Sequence, residues 1–263
     1  MNLQVIVRTL SFQNALNISR FYSTFREIES CFKRMMLSSS RKITIAVEGN
    51  IGSGRKITIA VEGNIGSGKS TVLDHLSKSS LCDIIAEPIE SWTNLKGDNL
   101  LAMLYNDPHR WGFAFQANAQ MTLAKLHAQP SKFPVKIMER SIYSARYCFI
   151  ENLYQNKILQ NVEYTILKDW FQMLTSNDAC HLDLIIYLRA KPETCLERIK
   201  SRNRPEEQSI TLDYLQQLHE RHEEWLSSEL RTLATPVLVV DADQTKEDVY
   251  VDTNTHVLNL AAC

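Results

Sequence analysis

The chain has 263 residues, 44% of them hydrophobic, and a formal net charge of −1, enough for one sizeable core and too short for two confident domains. Residues 1–42 hold seven Lys/Arg and two acids, leaving 22 basic against 28 acidic residues in the rest, which argues against a nucleic-acid-binding surface there. No apolar run approaches the roughly 18 residues that a membrane span requires, and six scattered cysteines without a C-x-x-C pair indicate a reducing compartment with neither a disulfide framework nor a zinc site.

Residues 1–40 are expected to be a leader. The first 26 contain Arg8, Arg20 and Arg26, many Ser, Thr and Asn, and no acid, and they lack the apolar centre of a secretory signal. That is the composition of a mitochondrial transit peptide, and Arg20-Phe21-Tyr22-Ser23 resembles a matrix-protease cleavage pattern. Met35 and Met36 offer alternative starts for a cytoplasmic or nuclear form.

An unusual repeat follows. Residues 41–54 read RKITIAVEGNIGSG, and residues 55–68 repeat them letter for letter. No third copy exists and the unit holds no complete supersecondary element, so this is not a solenoid period. Only the second copy continues into Lys69-Ser70 and a helical pattern, so 41–54 is expected to lie outside the sheet and 55–263 to form the working domain.

Within that domain the β-branched run 57–61 leads into Gly63-Asn64-Ile65-Gly66-Ser67-Gly68-Lys69-Ser70, followed by a helix from Thr71. This is the phosphate-binding pattern G-x-x-x-x-G-K-[ST] in its strand–loop–helix context. The glycines let backbone N–H groups wrap a triphosphate, the helix N-terminus adds a favourable dipole, Lys69 supplies a cation and Ser70 offers a hydroxyl to Mg²⁺. Further short apolar runs at 83–86, 135–138, 182–188 and 236–240 alternate with helical patterns. They predict an α/β fold with a doubly wound, five-stranded parallel sheet whose strand ends carry the site.

Three strand ends carry charge: Glu87 and Glu90, Glu139-Arg140-Ser141, and Asp241 with Asp243. In 193–207, Arg198 and Arg202 stand one helical turn apart with Arg204 beyond and Pro205 expected to end the helix, a pattern suited to a lid over phosphates. His219 and His222 are three apart, not the four of a zinc-binding helix, and predict a packing or solvated face. A GTPase switch lacks support, because none of the eight glycines has Asp three residues before it and Asn-Lys-x-Asp is absent. A non-catalytic nucleotide-binding protein and a nucleoside monophosphate kinase stay open on these residues alone.

The stretches EGNIGSGKST (62–71), EPIESW (87–92), NLLAMLYNDPHRWGFAFQ (99–116), KIMERSIYSARYCFIENL (136–153), DLIIYLRAKPETCLERI (183–199), LHERHEEWL (218–226) and PVLVVDAD (236–243) together resemble the deoxyribonucleoside kinase family, which includes mitochondrial thymidine kinase and the insect multisubstrate enzyme. The resemblance implies a P-loop kinase with a helical lid that phosphorylates the 5′-hydroxyl of deoxyribonucleosides with ATP and Mg²⁺, as a homodimer. It implies that Glu87 is the general base and that Lys69, Arg140, Arg202 and Arg204 neutralise charge. Ser70 and Glu139 would hold the metal, and Gly63 to Thr71, including Ile65, would wrap ATP. For the nucleoside it implies Trp92 and Phe149 as aromatic walls, Gln116 reading the base, Tyr105 with Glu207 holding the 3′-hydroxyl, and Glu87 and Arg140 beside the 5′ end. The chain departs from pyrimidine-preferring relatives in having Ala119 and Leu123 where they carry larger residues, and Ala145 where deoxycytidine-kinase-like members place an acid. Thymidine and deoxycytidine are the expected acceptors, with purine tolerance open.

Overall fold

The structure, a computed structural model, describes residues 56–176, 178–227 and 235–261. The leader expected over 1–40 and the duplicate 41–54 lie outside the described residues.

Among the described residues five strands form one parallel sheet: β1 (Ile57–Glu62), β2 (Cys82–Ile85), β3 (Val135–Glu139), β4 (Leu184–Arg189) and β5 (Val237–Asp241), in the order β2-β3-β1-β4-β5. The expected α/β sheet is therefore present. Its three middle strands are almost wholly buried because helices cover both faces, which is why they read as continuous apolar runs rather than alternating ones. Strand bounds differ slightly from the sequence reading. β2 starts and ends one residue earlier than 83–86. β4 begins at Leu184 rather than 182, because Asp183 closes the ladder instead of extending it, its backbone N–H donating to the Thr58 carbonyl and its carboxylate accepting the Thr58 N–H at 2.8 Å.

Val61 stands opposite both Glu139 and Ile186, so the carboxyl ends of the three central strands are level. Chain reversal after β1 to one side and after β3 to the other makes that level edge the crevice of a doubly wound sheet. The surrounding helices are α1 (Lys69–Leu76), α2 (Ile89–Thr93), α3 (Leu100–Asn106) and α4 (Pro108–Ala128). They are followed by a composite α5 made of Ile142–Ser144, a π-helical segment Ala145–Ile150 and Glu151–Gln155. Next come α6 (Asn161–Thr175), α7 (Pro192–Arg202), α8 (Leu212–His222) with a π-helical continuation Glu223–Ser227, and α9 (Lys246–Ala261).

Local chemistry sets several of the ends. α4 starts where the Asp107 carboxylate accepts the Arg110 N–H at 3.1 Å and Pro108 supplies a helical φ. It stops where Lys136, from β3, donates to the carbonyls of Leu126, His127 and Gln129 at 2.6 to 2.8 Å. α7 does not run on to Pro205 as expected. It ends at Arg202, because Asn203 adopts a left-handed conformation with φ 53° and closes the helix there.

His222 is a packing residue: it is fully buried, stacked on Tyr187 with ring centroids 5.9 Å apart, its Nδ1 2.6 Å from the Leu218 carbonyl. The acids that follow are not all bare surface, since Glu223 accepts the Tyr187 hydroxyl at 2.7 Å and a two-point ion pair from Arg189.

Candidate active site

A cavity of about 720 Å³ opens along the carboxyl edge of the sheet, a volume in the range of small-molecule sites. Its floor is the loop between β1 and α1. Gly63, Gly66 and Gly68 take φ values of 144°, 80° and 100°. A β-carbon on Gly63 would lie 2.6 Å from the Leu188 carbonyl oxygen, and one on Gly66 2.5 Å from that of Cys195, so the loop is pressed against β4 and α7 as closely as only glycine allows. Asn64 folds inward, donating to the Leu215 carbonyl at 2.8 Å while its Oδ1 takes the Ile65 N–H.

Lys69 is buried, with its ammonium curled onto the carbonyls of Gly63 at 3.1 Å and Asn64 at 2.8 Å. Burial and the neighbouring Arg140 bring its pKa down to about 8, although Glu139, Glu87 and Glu62 oppose the shift. Beside it the Ser70 hydroxyl donates to Glu139 Oε1 at 2.8 Å. A hydroxyl and a carboxylate converging at a phosphate loop fit Mg²⁺, which is commonly held by one or two carboxylates together with substrate phosphates. Among the described residues no cluster of three His, Cys, Asp or Glu forms a metal cage.

Arg140 is the hub of the opposite side. Its Nε lies 2.9 Å from Glu87 Oε1, an ion pair in which the N–H is not aimed at the oxygen, while Nη1 donates to the Gly63 carbonyl at 3.0 Å and the guanidinium lies over the Phe149 ring at 4.8 Å. Burial works against its charge, but Glu87, Glu62 and Glu139 outweigh that and hold it protonated above the ordinary arginine range. Glu87 feels the reverse balance: burial raises its pKa, with Arg140 and Lys69 pulling it down.

The remaining wall is mostly apolar. Trp92 is buried edge-on to Phe115, its indole N–H donating to the Thr122 hydroxyl at 2.9 Å. Gln116 is buried with its amide oxygen lacking a donor among the described residues, which leaves that oxygen able to accept from a bound molecule. Ala145 and Phe149, both of the π-helical segment, line the cavity. Tyr105 stands edge-to-face with Tyr214 at 6.5 Å.

Of the residues singled out from sequence, Ile65 to Thr71, Glu87, Trp92, Tyr105, Gln116, Glu139, Arg140, Phe149, Arg202, Arg204 and Glu207 all line this one cavity. Gly63 and Asn64 lie behind it and contribute backbone carbonyls instead. The arginines expected to form a lid are differently engaged from what their spacing suggested. Arg202 Nη2 donates to both oxygens of Glu207 at 2.7 and 2.5 Å and Arg204 Nη1 to one at 3.4 Å, so Glu207 gathers the two arginines rather than only facing Tyr105. Arg198 pins the phosphate loop to the β5 turn, donating to the carbonyls of Ser67 at 3.3 Å and Ala242 at 2.9 Å. The acids at the end of β5 do not join the site. Asp243 accepts the Lys191 N–H and Asp241 the Asp243 N–H, leaving Ala242 on the cavity.

Sequence reading passed over Glu62 and Tyr214. Glu62 is wholly buried at the end of β1 and accepts the Ser141 hydroxyl at 2.5 Å. A carboxylate closing an otherwise apolar strand was the available signal.

A strand–phosphate loop–helix unit facing a carboxylate-bearing cavity defines a P-loop phosphotransferase. Comparison narrows the class. The deoxynucleoside kinase family model matches residues 59–260. The chain is 44% identical over 208 residues to mitochondrial thymidine kinase 2 of Homo sapiens, covering 79% of this chain and 73% of that one. It is 38% identical to human deoxycytidine kinase, covering 78% and 86%, and 35% identical to deoxycytidine kinase 2 of Gallus gallus, covering 86% and 92%. The chain belongs to the deoxynucleoside kinase family and is a phosphotransferase acting on a hydroxyl group of deoxynucleosides.

Proposed function

We propose that the protein transfers the γ-phosphoryl group of ATP to the 5′-hydroxyl of deoxyribonucleosides, thymidine and deoxycytidine foremost, in nucleoside salvage. The observation that carries this reading is Arg140, which meets Glu87 on one side and the carbonyl of Gly63 on the other and so joins an acidic acceptor end to the phosphate loop. Glu87 takes the hydroxyl proton as the 5′-oxygen bonds to the γ-phosphorus and the bond to the β-phosphate oxygen breaks, releasing ADP. A carboxylate made more basic by burial is suited to that proton.

Lys69, Arg140 and, on lid closure, Arg202 and Arg204 stabilise the charge that spreads over the transferring oxygens. Mg²⁺, held by Ser70 and Glu139, would neutralise the phosphates. Gln116 reads the base between Trp92 and Phe149, while Tyr105 and Glu207 take the 3′-hydroxyl. Ala119, Leu123 and Ala145 leave room on the base side, which supports some acceptance of purines.

The direct test offers the purified protein ATP–Mg²⁺ with each deoxyribonucleoside, with ribonucleosides and with thymidine monophosphate. Monophosphate products from thymidine and deoxycytidine are expected. ATP binding without any product would establish a non-catalytic protein, and turnover of thymidine monophosphate alone would establish a nucleotide kinase.

We further infer a homodimer packed through α4 and α6. Met121, Val162, Trp170 and Met173 are 46, 65, 37 and 64% exposed there, and Phe113 and Trp170 join the two helices at 6.2 Å. Sedimentation at micromolar concentration should give a dimer, which Met173→Glu weakens; a monomeric parent protein overturns this. The leader is proposed to deliver the enzyme to the mitochondrial matrix, with cytoplasmic or nuclear forms starting at Met35 or Met36. A reporter carrying residues 1–40 that stays diffuse would refute the targeting.

A further inference from the structure

Glu62 is buried completely, and no step of the reaction above uses it. A carboxyl in that position costs far more to desolvate than the apolar residue the strand would otherwise carry, so its contacts must account for it. Oε1 accepts the Ser141 hydroxyl at 2.5 Å, and Oε2 has no hydrogen-bond donor among the described residues. The Ser141 hydroxyl in turn accepts the Tyr143 N–H at 3.2 Å, and the Ser141 carbonyl accepts the Ser144 hydroxyl at 2.9 Å, so this serine anchors the turn from β3 into α5.

The residue just before it, Arg140, has φ 64°. A side chain larger than glycine's stays in that left-handed region only when its surroundings hold it there. Three consecutive residues supply the hold. The Val61 carbonyl accepts the Arg140 N–H at 3.0 Å, the Glu62 carboxyl accepts the Ser141 hydroxyl, and the Gly63 carbonyl accepts the Arg140 guanidinium at 3.0 Å.

We propose that Glu62 is a positioning residue for phosphoryl transfer: by clipping Ser141 it fixes the left-handed turn that directs Arg140 to Glu87 and Glu139 to Ser70. The clip tolerates either charge state. Burial pushes the Glu62 carboxyl up to about 7 against the opposing influence of Arg140, Ser141, Ser144 and Lys69, and both forms keep an oxygen that accepts from Ser141. Glutamine, which keeps such an oxygen without the charge, should therefore serve in its place, whereas alanine should not.

This inference rests on the assignment of Arg140 and Glu87 to the acceptor end. It is tested by steady-state kinetics of the full chain with thymidine and ATP–Mg²⁺. Because a small misplacement of catalytic groups costs on the order of ten- to a hundredfold, Glu62→Ala and Ser141→Ala should each lower kcat by at least about tenfold, with KM for ATP within about threefold. The double variant should fall within about twofold of the worse single one, since both remove the same link. Glu62→Gln should keep kcat within about threefold of the parent. Near-parental kcat in Glu62→Ala, single effects that multiply, or a Gln variant as impaired as Ala would each overturn the proposal. If Glu62→Ala does not fold, Ser141→Ala decides in the same way. Glu87→Gln, measured alongside, separates the two readings: full activity there removes the site assignment itself, whereas loss there with full activity in Glu62→Ala removes only the clip.

Discussion

The ammonium of Lys69 donates to the carbonyls of Gly63 and Asn64, and burial weakens its hold on the proton. A triphosphate offers this cation far more than two neutral carbonyls can, so the group is poised to swing to it. Lys69→Ala should lower kcat by about a hundredfold or more, the usual scale for losing one charge stabiliser, and single-turnover kinetics would read the loss directly. Glu87 is judged by its chemistry rather than its charge. Glu87→Gln keeps the shape and removes proton acceptance, so kcat should fall on the order of a hundredfold while KM for thymidine changes little. Collapse of affinity with kcat preserved would make Glu87 a binding group. Since burial raises its pKa, the acid limb of the pH–rate profile should stand above the ordinary carboxylate range, with activity lost as pH falls through it.

Among the elements, the phosphate loop and α7 are packed backbone to backbone, so the loop's glycines answer to the fold as well as to phosphate. In Gly66→Ala the added carbon would meet the Cys195 carbonyl at 2.5 Å and force a residue with φ 80°. We expect a lower Tm and weaker ATP binding together, and ATP binding unchanged in titration calorimetry would contradict that coupling. α8 carries a different liability. The Leu218 carbonyl accepts from Nδ1 of His222, so a second proton must go to Nε2, which is buried without an acceptor among the described residues. Burial, with Arg140 adding to it, brings the His222 pKa down to about 3, and burial does the same to His127. Both folded values lie below the unfolded value near 6.5. Their contribution is therefore fully present above about pH 6.5 and is lost as pH falls toward 3, at up to about 1.4 kcal/mol per pH unit for each group. His222→Gln should flatten part of that slope in denaturant unfolding measured at a series of pH values; an unchanged slope would contradict it.

At the scale of the whole molecule, Ile57–Glu62 occupy the middle of the sheet, paired on one edge with β3 and on the other with β4, and run directly into the phosphate loop. The second copy of the repeated segment thus fills that strand position, and both of its edges are taken, by β3 and β4. Deleting residues 41–54 should leave kcat/KM for thymidine intact and preserve Tm. A loss of more than about tenfold, roughly 1.4 kcal/mol of transition-state stabilisation, would mean that the first copy is built into the working enzyme.

Much of this architecture follows from local physics, which is why the sequence alone determined it. β-branched apolar runs of strand length, separated by helical patterns, can bury themselves only as a covered parallel sheet, and a glycine loop ending in Lys69-Ser70 before a helix has one well-supported use. Motif spelling likewise located Glu87, Gln116, Glu139 and Arg140. What spacing along a chain cannot express is which strand ends stand side by side. The pairing of Val61 with Glu139 brought Glu62 against Ser141, the turn of Asn203 stopped α7 before Pro205, and the placement of the 205–207 turn delivered Arg202 and Arg204 to Glu207. Asp243 is held out of the cavity by a partner distant in sequence, the N–H of Lys191, while Asp241 turns locally onto the Asp243 N–H. The contacts of Glu62 with Ser141 and of Asp243 with Lys191 are long-range, and their geometry exists only once the sheet has closed.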